Sequence, residues 1–158
     1  GVLPIRVVHN DTKCNNVMFD AVTGENLAVI DLDTVMPGLV AYDFGDAVRF
    51  AANPGGEDND DISQIYLDLD YYSAFAEGFV PSLYGKITDT EIATLPDGVL
   101  AITLELASRF LKDYLDGDVY FKTNSDDHNL VRALTQIQLV RDMEAKWETL
   151  QAITAKYC

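Results

Sequence analysis

His9-Asn10-Asp11-Thr12-Lys13-Cys14-Asn15-Asn16 gathers an acid, a cation and an amide into eight residues, in the form H-x-D-x-K-x-x-N. Val29-Ile30-Asp31-Leu32-Asp33 follows, an apolar run ending in two carboxylates, with Asp31 twenty residues beyond Asp11. These residue types suit phosphoryl transfer from a nucleotide. That chemistry needs a carboxylate to orient the attacking hydroxyl and accept its proton. It also needs oxygen ligands for Mg²⁺ and a cation for the migrating phosphoryl group. Asp11 is the candidate base and Lys13 the candidate cation. Asn16 offers a neutral oxygen to a hard cation, and Asp31 a charged one. An acidic site repels a nucleotide triphosphate, so Mg²⁺ is part of the expectation. Asp33 reads equally as a second metal ligand or as a hydrogen-bonded loop acid. If the strand continued, alternation would place Asp31 and Asp33 on one face.

Blander roles are assigned to the neighbours. His9 reads as a brace for the loop rather than a proton carrier. A Cys14–His9 nucleophile fails because no group to orient His9 can be picked out, so Cys14 reads as a small packed residue. Glu57-Asp58-Asn59-Asp60-Asp61 reads as a solvated helix N-terminus favoured by the helix dipole. Neither that run nor Asp116-Gly117-Asp118 has the spacing of a calcium loop.

The elements that must position the loop follow from pattern. Ile5 to Val8 favours a strand. Val17-Met18-Phe19 and Leu27-Ala28-Val29-Ile30, split by Thr23-Gly24-Glu25-Asn26, read as a hairpin. Four helices follow. The first spans Tyr42 to Ala52. The second opens in the acidic run at Glu57 and buries Ile62, Ile65, Leu69, Tyr72, Phe75 and Phe79. The third starts at a Thr88/Glu91 capping box, carries Leu95, Val99, Ile102, Leu106 and Phe110, and closes at Gly117. The fourth starts near Ser125-Asp126-Asp127 and carries Leu130, Leu134, Ile137, Val140, Met143, Trp147 and Leu150.

The chain has 158 residues, enough for one domain over 1–158, and 48% of them are hydrophobic. A net charge of −15 argues against nucleic acid or an anionic membrane as partner. No apolar run is long enough to span a bilayer, and no signal-peptide pattern opens the chain. Cys14 and Cys158 make no disulfide framework, so a reducing cytoplasm is the expected location.

His9, Asp11, Lys13 and Asn16 resemble the catalytic loop of the protein-kinase-like fold, and Asp31 resembles its metal-binding aspartate. Asn10 and Ile30-Asp31-Leu32-Asp33 place the resemblance nearer the aminoglycoside and choline phosphotransferases than the protein kinases. A longer match is similar to the N-acetylhexosamine 1-kinases. It takes in His9 to Lys13, Asn15 to Met18, Val29 to Gly38, Asp43-Phe44-Gly45-Asp46 and Arg49-Phe50. It continues through Arg109-Phe110-Leu111, Gly117 to Lys122 and His128-Asn129-Leu130. The resemblance implies an α+β, mainly α fold: a C-terminal catalytic lobe with a short hairpin at the catalytic loop and packed helices. It implies ATP as donor, Mg²⁺ as cofactor and N-acetylglucosamine or N-acetylgalactosamine as acceptor, phosphorylated on the 1-hydroxyl. Phe50, Arg109 and Tyr120 are the implied sugar contacts. The residues themselves add that Arg109 edges an apolar stripe, where a buried guanidinium needs a partner. Asp43-Phe44-Gly45 spells the kinase metal motif. It lies 32 residues past Asp11, however, so the metal goes to Asp31 and Asp43 is expected to buttress the loop through backbone N–H groups.

Only eight residues precede His9, and no phosphate-binding glycine motif occurs. The chain therefore reads as the catalytic lobe without its nucleotide-binding lobe. Negligible activity alone is expected, and a homo-oligomer through the exposed lobe surface is left open. Three rivals stand beside this reading. One keeps the chemistry but takes choline, an amino alcohol or an aminoglycoside. One is a metal-dependent hydrolase built on His9, Asp11 and Asp31. One is a non-catalytic interaction domain.

Overall fold

A computed structural model describes residues 3–157. The expectation for Cys158 falls outside them. The chain forms β1 (Arg6–Val8), β2 (Val17–Phe19), β3 (Asn26–Val29), β4 (Met36–Gly38) and α1 (Val40–Ala51). Then come α2 (Leu69–Ser82), α3 (Asp89–Ala93), α4 (Leu95–Asp116), α5 (His128–Ala145) and α6 (Trp147–Thr154). This is an α+β, mainly helical architecture, as expected.

Two antiparallel pairs carry the loops. β2 and β3 form the expected hairpin, with Val17 opposite Val29 and Met18 opposite Ala28. The carboxylate of Asp20 accepts from Val22 and Thr23 N–H to close its turn. The second pair, β1 with β4, has Arg6 opposite Gly38 and Val8 opposite Met36. Its pairing closes the base of residues 9–35, so the Asp11 segment and the Asp31 segment emerge at the same end.

The helices pack chiefly on α4, which lies against α1 and α5. Phe44, Val48, Tyr72, Leu95, Val99, Leu139, Met143 and Leu150 form the centre of the core. Phe75 and Phe79 of α2 meet the edge of Phe44 at 5.5 and 5.2 Å between ring centres. α1 and α4 cross where Gly45, Gly98 and Ala41 let their backbones touch. Among the described residues, no helix is long and apolar enough to cross a membrane.

Several expected boundaries move. The acidic run does not open a helix: α2 begins at Leu69, capped by Asp68, which accepts from Asp70 and Tyr71 N–H. Glu57 is instead drawn into an ion pair with Arg49, and Asp58 into an ion pair with Arg132 and a hydrogen bond with His128. Ile65 and Leu67 are buried while Tyr66 between them is exposed. Their period is two, that of extended chain, although Ile62 and Ile65 also fit a helical count. The capping box of Thr88 and Glu91 forms, and Gly117 closes α4 with φ 92°. The segment breaks at Thr94, because Pro96 lacks the N–H a continuing helix needs. The last helix starts at His128 and breaks again at Lys146. Leu134, expected in its buried stripe, is 46% exposed, and Ala133 and Gln136 take the inner face. Cys14, expected to be packed, is a free, exposed thiol in a one-turn helix.

β1 is fastened to α3 by a fork: Arg6 Nε and its Nη2 donate to the two oxygens of Glu91 at 2.9 and 2.8 Å. The Arg6 hydrogen bond, helped by Thr88 and opposed by burial, holds the Glu91 carboxyl down to about 2 from 4.5. A carboxyl depressed by folding contributes stability above its unfolded pKa and loses it as pH falls through the folded one. Urea midpoints are therefore expected to fall as pH drops from 4.5 toward 2, and Glu91→Gln should remove that part of the slope. An unchanged slope in the variant would show that other carboxylates govern acid unfolding.

Candidate active site

The loop after β1 is held by backbone contacts that converge on Asp43, in the first turn of α1. Its carboxylate accepts from His9 N–H at 3.0 and 2.9 Å and from Asn10 N–H at 2.8 Å. Thr12 Oγ1 donates to the Asp43 carbonyl at 2.6 Å, and Thr34 Oγ1 donates to the His9 carbonyl at 2.7 Å. Asn10 takes the left-handed conformation, φ 63°, that turns the chain into this cradle. Both ring nitrogens of His9 are engaged. Asp11 N–H donates to Nδ1 at 3.3 Å, and Nε2–H donates to the Ile30 carbonyl at 3.0 Å. Ile30 N–H in turn donates to the Asn16 carbonyl at 2.9 Å. Two bonds on Ile30 thus pin the residue before Asp31 to the loop that carries Asp11.

Within the loop, Asp11 Oδ2 accepts from Lys13 Nζ and from Asn16 Nδ2, each at 2.8 Å. Asn16 Nδ2 also reaches the Asp11 carbonyl at 2.8 Å. Lys13 is held above its usual pKa by the Asp11 hydrogen bond, against partial burial, with the charges of Asp11, Asp31 and Asp46 adding to it. It therefore stays a cation at neutral pH. Asp31 is exposed and left-handed, φ 64°, at the head of a one-turn helix over Leu32–Thr34. That helical turn contains Asp33 and leaves it exposed, so the strand does not continue and the same-face argument for a second metal ligand fails.

The donor set suits Mg²⁺. The amide nitrogen of Asn16 is spent on Asp11, which leaves its Oδ1 for a cation, and Asp31 supplies one charge. Among the described residues no three His, Cys, Asp or Glu side chains converge as a metal site. Mg²⁺ commonly takes one or two protein ligands and completes its shell with phosphates and water.

Asp11 and Lys13 line a cavity of about 420 Å³ together with Phe50, Arg109 and Tyr120. The structure thus gathers five of the candidate residues around one space, although they come from a loop, two helices and a turn. Asn16, Asp31, Asp33, His9 and Asp43 lie outside its lining. Arg109 is not buried, as its place in the stripe suggested. Its side chain is 45% exposed and its guanidinium lies 5.7 and 5.4 Å from the ring centres of Tyr120 and Phe121. Glu105 stands 3.8 Å from its Nε.

Two buried charged groups, one lining the cavity and one behind it, were not expected from sequence. Arg49, buried in α1, donates to Asp46 at 2.9 Å and to Glu57 at 2.7 Å beneath the same cavity. Asp113, also buried, accepts from the backbone of residues 119–121. Its signal is an acid standing where the stripe Leu106, Phe110 calls for an apolar side chain.

Residues 2–77 match the model of the phosphotransferase enzyme family, a stretch that holds the Asp11 loop, the hairpin, Asp31 and all of α1. The chain is similar to that family over this first half.

Proposed function

We propose that the chain is the catalytic lobe of an ATP-dependent kinase that phosphorylates the 1-hydroxyl of N-acetylglucosamine or N-acetylgalactosamine. The supporting observation is the cavity that Asp11 shares with Phe50, Arg109 and Tyr120. Asp11 takes the hydroxyl proton as the sugar oxygen bonds to the γ-phosphorus. The bond to the bridging oxygen breaks, and ADP departs with that electron pair. Lys13 lies on Asp11 and offsets charge on the moving group. Asn16 and Asp31 would hold Mg²⁺, which neutralises the phosphate oxygens.

The charges in the cavity favour a neutral acceptor. Asp11, Asp46, Glu57 and Glu105 face Lys13, Arg49, Arg109 and Arg132. The first three acids are already paired, to Lys13 and to Arg49. A choline or aminoglycoside cation would find most of these carboxylates already engaged by arginine and lysine, whereas a sugar finds donors, acceptors and aromatic faces. A hydrolase on His9 is disfavoured because both its ring nitrogens are bonded within the loop.

The test is an acceptor screen with protein from the complete reading frame, ATP and Mg²⁺. N-acetylhexosamines should release ADP and lose their reducing end, since only phosphorylation at the anomeric oxygen removes it. Turnover of choline or an aminoglycoside without the sugars would overturn the assignment, as would a product that stays reducing.

A further inference from the structure

Two of the three proposed acceptor contacts depend on one carboxylate that does not itself reach the cavity. Asp113 stands one helical turn beyond Arg109, on the same face of α4. After it the chain reverses through two consecutive left-handed residues, Gly117 at φ 92° and Asp118 at φ 59°. The returning backbone points three successive N–H groups at the buried Asp113 carboxylate. Val119 and Tyr120 donate to Oδ1 at 3.1 and 2.8 Å, and Phe121 donates to Oδ2 at 2.9 Å. Asn129 of α5 donates a fourth bond at 2.9 Å to Oδ2, and its amide also reaches Asp118 Oδ1 at 2.8 Å. Burial works to raise the Asp113 carboxyl's pKa. The N–H groups of Phe121, Tyr120 and Val119 and the Asn129 amide outweigh it, and the group is held ionised. The turn so fixed sets the Phe121 ring 4.7 Å from Phe110 and the Tyr120 ring 4.8 Å from Phe121. Arg109 rests on both.

We propose that Asp113 is a positioning residue for the acceptor: it shapes the 117–121 turn so that Tyr120, and Arg109 stacked on it, form one wall of the cavity beside Asp11. This rests on the acceptor reading of that cavity. No cation neutralises Asp113 among the described residues; its four partners are N–H donors. An amide in its place must aim an NH₂ at groups that are themselves donors, and the turn loses its template while the side-chain volume is kept.

Steady-state kinetics on protein from the complete reading frame test this, with N-acetylglucosamine as the acceptor probed. Asp113→Asn should raise the acceptor KM about tenfold and leave kcat and the KM for ATP within about twofold. Asn129→Ala, which spares the three backbone bonds, should act in the same direction and about threefold. Tyr120→Ala should raise the acceptor KM by itself, and adding Asp113→Asn to it should do little more, because both act through one turn. Thermal melting run alongside reads any loss of fold. If Asp113→Asn does not fold, the Asn129→Ala and Tyr120→Ala pair decides by the same rule. The proposal is overturned if Tyr120→Ala raises KM while Asp113→Asn, or Asn129→Ala in its stead, changes only melting or kcat, or adds independently. If the unmutated protein turns over only N-acetylgalactosamine, the same variants are read on that sugar; absence of turnover of both sugars would overturn the acceptor reading and this proposal with it.

Discussion

Asp11→Asn should lower turnover by about 10²–10⁴-fold, the usual contribution of a positioned general base, with much less change in acceptor KM. The substitution keeps the shape of the side chain. Its carbonyl oxygen can still accept from Lys13 and Asn16, which now bond Oδ2 at 2.8 Å. The other position then becomes an NH₂, which cannot take a proton from the incoming hydroxyl. Loss of rate with intact geometry is the signature expected of a base, and single-turnover measurement with saturating ATP separates it from slow product release. Near-wild-type turnover would remove Asp11 from that role.

The largest expected effect on stability is at the crossing of α1 and α4. A methyl group at Gly98 would lie inside contact distance of the Ala41 carbonyl, and one at Gly45 inside contact distance of the Gly98 carbonyl. Both obstacles are backbone, so no rotamer change relieves them. Gly98→Ala should cost about 2–4 kcal/mol: the overpacking penalty exceeds the roughly 1 kcal/mol that alanine gains in a helix. For a chain of this size the melting temperature should drop by about 5–15 °C. Gly78→Ala in α2 is the control. Nothing lies within 4 Å of its added methyl, so the variant should melt at the same temperature or slightly higher. A Gly98→Ala protein that melts with the wild type would mean that the two helices are not in backbone contact. The same crossing explains why Asp43-Phe44-Gly45 matters here. Phe44 is fully buried, Gly45 makes the close approach, and Asp43 is carried on the same turn to the loop it holds.

What could be read from the amino acids was local. Asp11, Lys13 and Asn16 sit within six residues, so their spacing alone presents them to one another. The β2–β3 hairpin announces itself by its turn, and the capping box of Thr88 and Glu91 by its spacing. The β1–β4 pair does not, because Met36-Pro37-Gly38 is a poor strand sequence whose partner lies at the far end of a long loop. The start of α2 was misplaced for another reason. Ile62, Ile65 and Leu69 satisfy a three-four count, yet Ile65 and Leu67 are buried from an extended segment. Helix periodicity also took α3 with α4, and α5 with α6, as single helices. Asp46, Arg49 and Asp113 stayed hidden because a charge inside an apolar stripe becomes informative only when its partner is known. Asp46 and Arg49 pair with each other one turn apart in α1, Arg49 also with Glu57 of the following segment, and Asp113 with the 119–121 backbone and Asn129 of α5.

The matched stretch ends at residue 77, yet α1 rests chiefly on α4, with Leu95 and Val99 in the core they share. A polypeptide cut there would retain Asp11, Lys13, Asn16, Asp31 and Phe50 but lose the bedrock under Asp43. The candidate loop and the packing that supports its helix thus lie in different parts of this chain. Transplanting the reactive loop into another scaffold would demand an equivalent foundation for one helix, rather than a faithful copy of the loop itself.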